Sequence, residues 1–257
     1  MTETINNVLT LQTQGDVLLI KMHDEANKNQ LTEPLVKGLL QVIDEVEQRQ
    51  IKVLVLTGYD RYFCSGGTLD GMATIQQGKA RFTDIPLYDC LRRCPVPVVN
   101  AVQGHALGGG FAFACSGDFV ILSKESAYTA NFMQFGFTPG FGATFYLPKQ
   151  LGNTLANEML YTGLRLQGGE LAKRNAPLTI LRRNEVLPHA LELAQSLAEK
   201  PRLSLLTLKQ EMIARDEDRF RHIINEELCM HDITFHQPEV LKKSLNSSVP
   251  FDSVFLV

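Results

Sequence analysis

Two glycine-rich segments contain the residue types in this chain that are best suited to chemistry. They span residues 63–67 and 104–110, and the second contains three consecutive glycines. Glycine has no Cβ to shield its amide, so another group can approach the backbone N–H closely. A glycine run that leads into a helix also directs free N–H groups and the positive end of the helix dipole into one crevice. The segments therefore suit an anion, either permanent or formed during a reaction. Two tight turns that need glycine only for close packing are the alternative.

Each glycine segment follows an apolar run that predicts a buried strand. The runs are Val53–Leu56 and Val96–Val102, and continuous apolar character is typical of strands covered on both faces. Ligands of parallel α/β sheets bind outside the carboxyl ends of the strands. We therefore expect the two segments at equivalent strand ends, where each supplies one N–H to a single oxygen.

The rest of the chain alternates strand-like and helical patterns before a helical C-terminal third. Further strands are predicted at 8–12, 17–22 and 120–122, with helices at about 35–46, 87–94, 143–151, 155–161, 186–200, 203–214 and 219–236. This order indicates the α/β fold class. We predict an α/β core over residues 1–200. The C-terminal helical region, residues 201–257, is predicted to form a lid or an oligomer contact.

Composition and charge limit the classes of function. A chain of 257 residues with 44% hydrophobic residues can bury a substantial core. A net charge of −3 does not favour binding to nucleic acid or to an anionic membrane. There is no apolar run of membrane-spanning length and no signal-peptide pattern, and the five scattered cysteines favour reduced thiols. We therefore expect a cytoplasmic protein.

Nucleotide-binding loops are the competing interpretation of the segment 104–110. Its glycines lack the Gly-x-Gly-x-x-Gly spacing of a dinucleotide site, and the acidic residue expected further along is not clearly placed. The segment also lacks the Lys-Ser/Thr ending of a phosphate-binding P-loop. Both nucleotide interpretations are weak.

Three motifs occur in the order and at the spacing of one family. They are Phe63-Cys64-Ser65-Gly66-Gly67-Thr68-Leu69-Asp70-Gly71-Met72, Gly104-His105-Ala106-Leu107-Gly108-Gly109-Gly110 and Gly136-Phe137-Thr138-Pro139-Gly140-Phe141-Gly142-Ala143-Thr144. In these motifs the chain resembles the crotonase, or enoyl-CoA hydratase/isomerase, superfamily over about residues 5–200. The resemblance implies a spiral of ββα units, a homotrimer or hexamer and a thioester substrate. It also implies an oxyanion hole formed by the backbone N–H groups of Gly67 and Gly109.

Two departures from the family pattern argue against hydration. Hydratases of the family place one catalytic glutamate three residues after the middle glycine, where this chain has Ala112. Their second glutamate precedes the Gly-x-x-Pro-Gly motif, and Phe132 occupies that place here. Adding water to a conjugated alkene needs one group to activate water and one to handle the proton. Alanine and phenylalanine can do neither, so hydratase activity is not expected.

Further segments resemble one branch of the superfamily. They are Ile75-Gln76-Gln77-Gly78, Phe82-Thr83-Asp84, Tyr128-Thr129-Ala130-Asn131-Phe132-Met133, Phe135-Gly136-Phe137-Thr138-Pro139-Gly140 and Glu227-Leu228-Cys229-Met230-His231. The branch is the second enoyl-CoA-hydratase-like enzyme of polyketide β-branching cassettes. Those enzymes decarboxylate 3-methylglutaconyl attached to acyl carrier protein, and they are similar to this chain nearly end to end.

The branch resemblance implies two catalytic residues. A histidine near the C-terminus matches His231, which shares a helix face with Glu227 and Phe235. A lysine after the first oxyanion motif matches Lys79, the only lysine between residues 64 and 95. A solvated loop lysine is the alternative reading. Arg81 is then the substitute, since its fixed charge can bind a carboxylate but cannot readily donate a proton.

These resemblances predict a cofactor-independent decarboxylase that converts a 3-methylglutaconyl-type enoyl thioester into a 3-methylcrotonyl-type product. Gly67 and Gly109 would stabilise a dienolate, and Ala112, Phe132 and Met133 would form an apolar substrate pocket. The resemblance favours acyl carrier protein as the partner, while the residues themselves do not distinguish its phosphopantetheine from coenzyme A. An enoyl-thioester isomerase and a non-catalytic binding protein of the same fold are the alternatives.

Overall fold

The structure is a computed structural model that describes residues 2–240, and its strands form two sheets. In chain order the strands are β1 (Thr2–Ile5), β2 (Leu9–Gln14), β3 (Val17–Met22), β4 (Val53–Thr57), β5 (Tyr62–Cys64), β6 (Val98–Val102), β7 (His105–Leu107), β8 (Phe119–Ser123), β9 (Ala127–Thr129), β10 (Arg165–Gln167) and β11 (Thr179–Leu181). The larger sheet has the order β1-β2-β3-β4-β6-β8-β11, and the smaller has the order β10-β9-β7-β5. Antiparallel pairing is confined to β1-β2, β2-β3 and β9-β10 within this part of the chain.

Helices cover both sheets and follow one another closely after residue 142. They are α1 (Glu33–Glu45), α2 (Leu69–Gln76), α3 (Leu87–Arg93), α4 (Gly109–Cys115), α5 (Ala143–Leu151), α6 (Asn153–Thr162), α7 (Gly168–Lys173), α8 (Arg183–Ala198) and α9 (Arg202–Thr234), with a 3-10 turn at Asn131–Phe135. None of the helices within residues 2–240 is both long and apolar enough to cross a membrane.

A repeated strand-strand-helix unit builds the core. In each repeat one strand joins the larger sheet and the next joins the smaller sheet, and a helix follows: β4-β5-α2, β6-β7-α4, and β8-β9 followed by the 3-10 turn and α5. The parallel pairs β4-β6, β6-β8, β5-β7 and β7-β9 stack successive repeats side by side. This arrangement confirms the predicted ββα spiral and the α/β class.

The position of the glycine segments differs in one respect from the prediction. Gly66-Gly67 and Gly108-Gly109-Gly110 follow the short strands β5 and β7 of the smaller sheet, and not β4 and β6 directly. Each of these strands has three residues, which is too short for an alternating or continuous apolar pattern to reveal. Because β5 and β7 are parallel neighbours, the two segments still leave the same edge of one sheet.

The C-terminal third contains one long helix where the sequence predicts two. Helix α9 runs unbroken for 33 residues and includes residues 215–218, which lie between the two predicted helices. Asp216 lies 2.7 Å from Lys149 of α5, and Glu217 pairs with Arg92 of α3 at 2.5 Å. These ion pairs satisfy the acidic side chains without a turn. Residues 241–257 of the predicted C-terminal region lie outside the described part of the chain, and the division at residue 200 stays a prediction.

Candidate active site

The ends of β5 and β7 bring the two glycine segments together. Cys64 of β5 is in register with Ala106 of β7. A Cβ on Gly110 would lie 2.2 Å from the carbonyl oxygen of Cys64, so the start of α4 packs directly on the end of β5. Gly66 has φ +94°, and a Cβ there would lie 2.8 Å from the carbonyl oxygen of Leu107. Both contacts require glycine, so the backbones approach more closely than any side chain would allow.

Gly67 and Gly109 both border a cavity at this junction. A Cβ built on either residue would meet no atom within 4 Å, because both positions open into empty space. Gly109 is the first residue of α4, so its N–H has no acceptor within the helix. An oxyanion hole requires two backbone donors at the wall of one cavity, and a helix N-terminus lies behind one of these two residues.

The cavity has a volume of about 350 Å³ and an aromatic wall. Phenylalanine side chains from three separate parts of the chain contribute to this wall: Phe82, Phe132, Phe135, Phe137, Phe141 and Phe235. Aromatic carbon cannot solvate an ionised group, so a charge inside the cavity depends on the few polar groups that reach it.

His231 is the histidine among the described residues that line this cavity. It lies on α9 and is 7% exposed, with the rings of Phe235 and Phe82 at 5.1 Å and 5.3 Å from its own. Its Nε2 lies 3.0 Å from the carbonyl oxygen of Thr138. A carbonyl only accepts, so Nε2 carries the hydrogen and Nδ1 holds the lone pair of the neutral ring. Burial lowers the pKa of His231 to about 4, against a smaller opposite effect of the Thr138 carbonyl.

Gly140 makes room for the imidazole. A Cβ at residue 140 would lie 2.5 Å from both Cε1 and Nε2 of His231. Glycine at this position of the third motif is therefore required by a side chain that lies 91 residues further along the chain. The sequence alone gives no sign of this contact.

We expect His231 to make the free energy of unfolding depend on pH. Its pKa lies near 4 in the folded protein against an ordinary value of 6.5, so the unfolded chain binds the proton first as the pH falls. The resulting stabilisation is complete above pH 6.5 and is lost between pH 6.5 and 4, by about 3 kcal/mol in total. Urea unfolding of the wild type and of His231→Gln across this range measures it. Equal pH dependence in the two proteins would contradict the assignment.

The structure places the three predicted pocket residues differently. Phe132 lines the cavity and is 7% exposed. Ala112 is completely buried within α4 and is not among the described residues that line the cavity. Met133 is also absent from that wall, and its side chain is 39% exposed on the outer side of the 3-10 turn. Of the three, only Phe132 is therefore in a position to contact a substrate in this conformation.

The two candidate basic residues are also separated. Arg81 lines the cavity, and its guanidinium lies 3.7 Å from the carboxylate of Asp232. Lys79 is exposed and is not among the described residues of the cavity wall. A second cavity of about 200 Å³ adjoins the first, and Arg81, Asp232, His231 and His236 all line it. Arg81 of the segment 77–81 thus borders both cavities, and Lys79 borders neither.

Several polar groups at the site were not predicted from the sequence. Ser65 is 3% exposed and lines the cavity, and its hydroxyl has no hydrogen-bond partner among the described residues. Asn131 also lines the cavity, and its side-chain oxygen would lie 2.9 Å from a Cβ on Gly108. Glu227 was expected beside His231, but its carboxylate binds backbone N–H groups at the start of α5. Ser65 is the kind of buried, unpaired donor that a bound ligand would satisfy.

Cys64 is a buried thiol within the glycine segment 63–67. Burial raises the pKa of Cys64, which precedes the first glycine pair, to about 12, so it stays a thiol. Within residues 2–240 no group of three or more histidine, cysteine, aspartate or glutamate side chains is arranged to hold a metal ion.

Comparison with known proteins identifies the family. Residues 12–249 match the family described as "Enoyl-CoA hydratase/isomerase". The chain belongs to the enoyl-CoA hydratase/isomerase family. The match spans most of the chain, including both glycine segments and α9, so the predicted superfamily is confirmed.

Several similar proteins of this family are described as decarboxylases. The chain is 48% identical over 231 residues to the bacillaene synthase decarboxylase PksI of Bacillus subtilis (strain 168), covering 90% of this chain and 93% of that protein. A structure from work on a dehydratase/decarboxylase enzyme couple involved in polyketide β-branching matches with a TM-score of 0.92 and 46% identity, covering 95% and 97% of the two chains. The ECH2 decarboxylase domain of CurF from Lyngbya majuscula matches with a TM-score of 0.88 and 38% identity, covering 93% and 99%. These relatives confirm the predicted decarboxylase role in polyketide β-branching.

Proposed function

We propose that this enzyme removes CO2 from a 3-methylglutaconyl-type thioester held on the phosphopantetheine of an acyl carrier protein, giving a 3-methylcrotonyl-type thioester. The observation that carries the proposal is the cavity itself. It combines the N–H groups of Gly67 and Gly109 with one buried histidine, His231, in a largely apolar wall. That combination serves a reaction which forms an enolate and then protonates it.

The first step is loss of the distal carboxylate. The bond between the carboxylate carbon and the γ-carbon breaks, and its electron pair moves through the conjugated alkene to the thioester oxygen. CO2 leaves, and a dienolate oxyanion lies between the N–H groups of Gly67 and Gly109. The conjugated thioester accepts the electron pair, so the proposed step needs no organic cofactor. The aromatic wall favours the departure of a charged carboxylate as neutral CO2.

The second step is protonation of the dienolate by His231. The free imidazole is neutral at pH 7, because its pKa lies near 4. A bound carboxylate or dienolate is an opposite charge beside it and raises that pKa, so the ring takes up a proton when the anionic substrate enters. The second proton of the imidazolium is on Nδ1, and its transfer to the α- or γ-carbon leaves the Nε2–H bond to Thr138 intact. Turnover then consumes one proton from solvent for each CO2 released.

The same geometry disfavours the addition of water. Phe132 places an aromatic ring in the wall where family hydratases place a carboxylate, and Ala112 places a methyl group within α4. Among the described residues of the cavity wall, His231 is the group that can act as an acid or base near pH 7, and one such group cannot both activate water and handle the alkene proton. Protonation without hydration is the consistent outcome.

Binding of the departing carboxylate is assigned to Lys79. The branch resemblance implies a lysine on this segment, and the Arg81 guanidinium is already paired with Asp232. Lys79 is two residues from Arg81 and next to Gly78, which has φ +68° in an exposed segment. We infer that a rearrangement of the segment 77–81 brings the Lys79 ammonium to the substrate carboxylate.

Alanine substitutions separate the two basic residues. Lys79→Ala is expected to lower kcat/KM by about 10- to 100-fold, since a hydrogen bond between two charged groups is lost. Arg81→Ala is expected to have the smaller effect, because its main partner is Asp232. Steady-state kinetics of both variants on the same thioester measure this. The opposite ranking would assign the carboxylate to Arg81.

The carrier and the assembly follow the branch and family resemblances. We propose acyl carrier protein as the partner, a homotrimer or hexamer as the assembly and the cytoplasm as the location. Comparing kcat/KM for 3-methylglutaconyl on carrier protein and on coenzyme A tests the carrier, and we expect the carrier-protein substrate to be preferred. Equal values would show that the protein part is not recognised. An unchanged substrate mass with a shifted double bond would instead support isomerisation.

A further inference from the structure

The buried carboxylate of Glu227 has no role in the proposed reaction. Glu227 lies on α9 one helical turn before His231, has no exposed surface and is not among the described residues of the cavity wall. Its oxygens accept hydrogen bonds from Gly142 N at 2.7 Å, Thr144 N at 2.8 Å and Thr144 Oγ1 at 2.6 Å. A carboxylate is costly to bury without such bonds, and these three bind it to one turn of the backbone.

The turn that Glu227 binds has an unusual conformation. Phe141 and Gly142 are consecutive residues with φ +64° and φ +76°. A bulky side chain at positive φ is strained, and such strain persists only where the surroundings fix it from several sides. Glu227 fixes the C-terminal side of the turn. Thr234 of α9 fixes the N-terminal side, where Thr138 N and Oγ1 lie 3.2 Å and 3.0 Å from its hydroxyl.

The same turn surrounds the imidazole of His231. The Thr138 carbonyl accepts the hydrogen bond from Nε2 at 3.0 Å. Gly140 lies so close to the ring that a Cβ there would be 2.5 Å from it. Phe141 then enters the cavity wall. The backbone of residues 138–142 therefore fixes the tautomer of the histidine and contributes to its position and burial.

We propose that Glu227 is a positioning residue for His231. Glu227 accepts hydrogen bonds from the N–H groups of Gly142 and Thr144 and so holds the strained turn 138–144 in one conformation. In that conformation the imidazole packs against Gly140 and donates to the Thr138 carbonyl. Its effect on catalysis is indirect, since it contacts the turn and not the substrate. The catalytic part of this inference rests on the proposed function, in which His231 is the acid.

Two variants and one control test the inference. Glu227→Gln replaces an acceptor oxygen with an NH2 group that faces backbone donors, and Thr144→Val removes one of the three hydrogen bonds at nearly constant shape. Glu226→Gln changes an exposed neighbour on the same helix. For each we would measure kcat, KM and the pKa of His231, the last by NMR titration of its ring with the signal assigned from His231→Gln.

For Glu227→Gln we expect kcat to fall by about 10- to 100-fold with KM changed little, because a buried hydrogen bond to a charged group is lost. The pKa of His231 should rise from about 4 toward 6.5, because the imidazole becomes more exposed to water when the turn around it is less ordered. Thr144→Val should shift both in the same direction by less, and Glu226→Gln should shift neither. A role confined to overall stability would lower the melting temperature and leave the His231 titration unchanged.

Folded Glu227→Gln or Thr144→Val protein with wild-type kcat and wild-type His231 titration would overturn the inference. If Glu227→Gln does not fold, Thr144→Val decides alone. If the wild type does not act on the thioester, the proposed function fails, and the His231 titration still decides whether Glu227 positions the ring.

Discussion

Gly66→Ala is expected to lower kcat/KM for decarboxylation by about 100- to 1,000-fold, the usual effect of losing one oxyanion-hole donor. Gly66 has φ +94°, and a Cβ would lie 2.8 Å from the carbonyl oxygen of Leu107. Relief of that contact separates the segment carrying the Gly67 N–H from the one carrying the Gly109 N–H. Steady-state kinetics on the thioester substrate measure the loss, with circular dichroism to confirm that the variant is folded.

Gly67→Ala is the matched control for Gly66→Ala. A Cβ on Gly67 meets no atom within 4 Å, and the residue keeps its backbone N–H. We therefore expect this variant to retain most of its activity, although it changes the residue that contributes the donor. If Gly66→Ala folded and were as active as Gly67→Ala, the paired amides would not be the site of charge stabilisation.

His231→Gln is expected to lower kcat by about 100- to 10,000-fold, the range typical of losing a general acid. Glutamine can still donate a hydrogen bond from Nε2 to the Thr138 carbonyl, so the position of the side chain is preserved. It has no titratable proton to give to the dienolate. The measurement is turnover of the thioester, followed by release of CO2 and by mass of the product.

His222→Gln is the control for this substitution, because His222 lies on the exposed face of the same helix. It should leave turnover unchanged. Full CO2 release by His231→Gln at the wild-type rate would contradict the role of His231 as the acid. Another group would then have to protonate the dienolate.

The two glycine segments could be predicted from the sequence because the need for glycine there shows in the local sequence. Glycine runs after apolar strands indicate exposed amides, and Gly67 and Gly109 both border the cavity as expected. The strands β5 and β7 next to these segments could not be predicted, since strands of three residues are too short to show a hydrophobic periodicity. Their parallel pairing, which brings the loops together, is a property of the tertiary structure.

The surroundings of His231 depend on contacts between distant parts of the chain. The branch resemblance predicts the residue, and the structure places it in the cavity, but its partners Thr138 and Gly140 are more than 90 residues away in the sequence. The continuity of α9 has the same origin. The residues between the two predicted helices are helical, and Arg92 and Lys149 pair with their acidic side chains from other helices. Neither contact has a local signature.

The position of Lys79 shows a different limit. The segment 77–81 is exposed at most of its residues, so neither a hydrophobic pattern nor burial fixes which basic residue faces the cavity. The structure shows Arg81 at the cavity and Lys79 outside it. A site that a substrate completes is not fully specified by the chain alone.

The central claim is tested most directly by incubating the wild-type enzyme with a 3-methylglutaconyl thioester and measuring the mass of the product together with released CO2. The proposed function predicts loss of one CO2 per thioester, with one hydrogen of the product taken from solvent when the reaction is run in D2O. A product of unchanged mass with a moved double bond, a product heavier by one water, or no turnover on carrier protein and coenzyme A alike would contradict it.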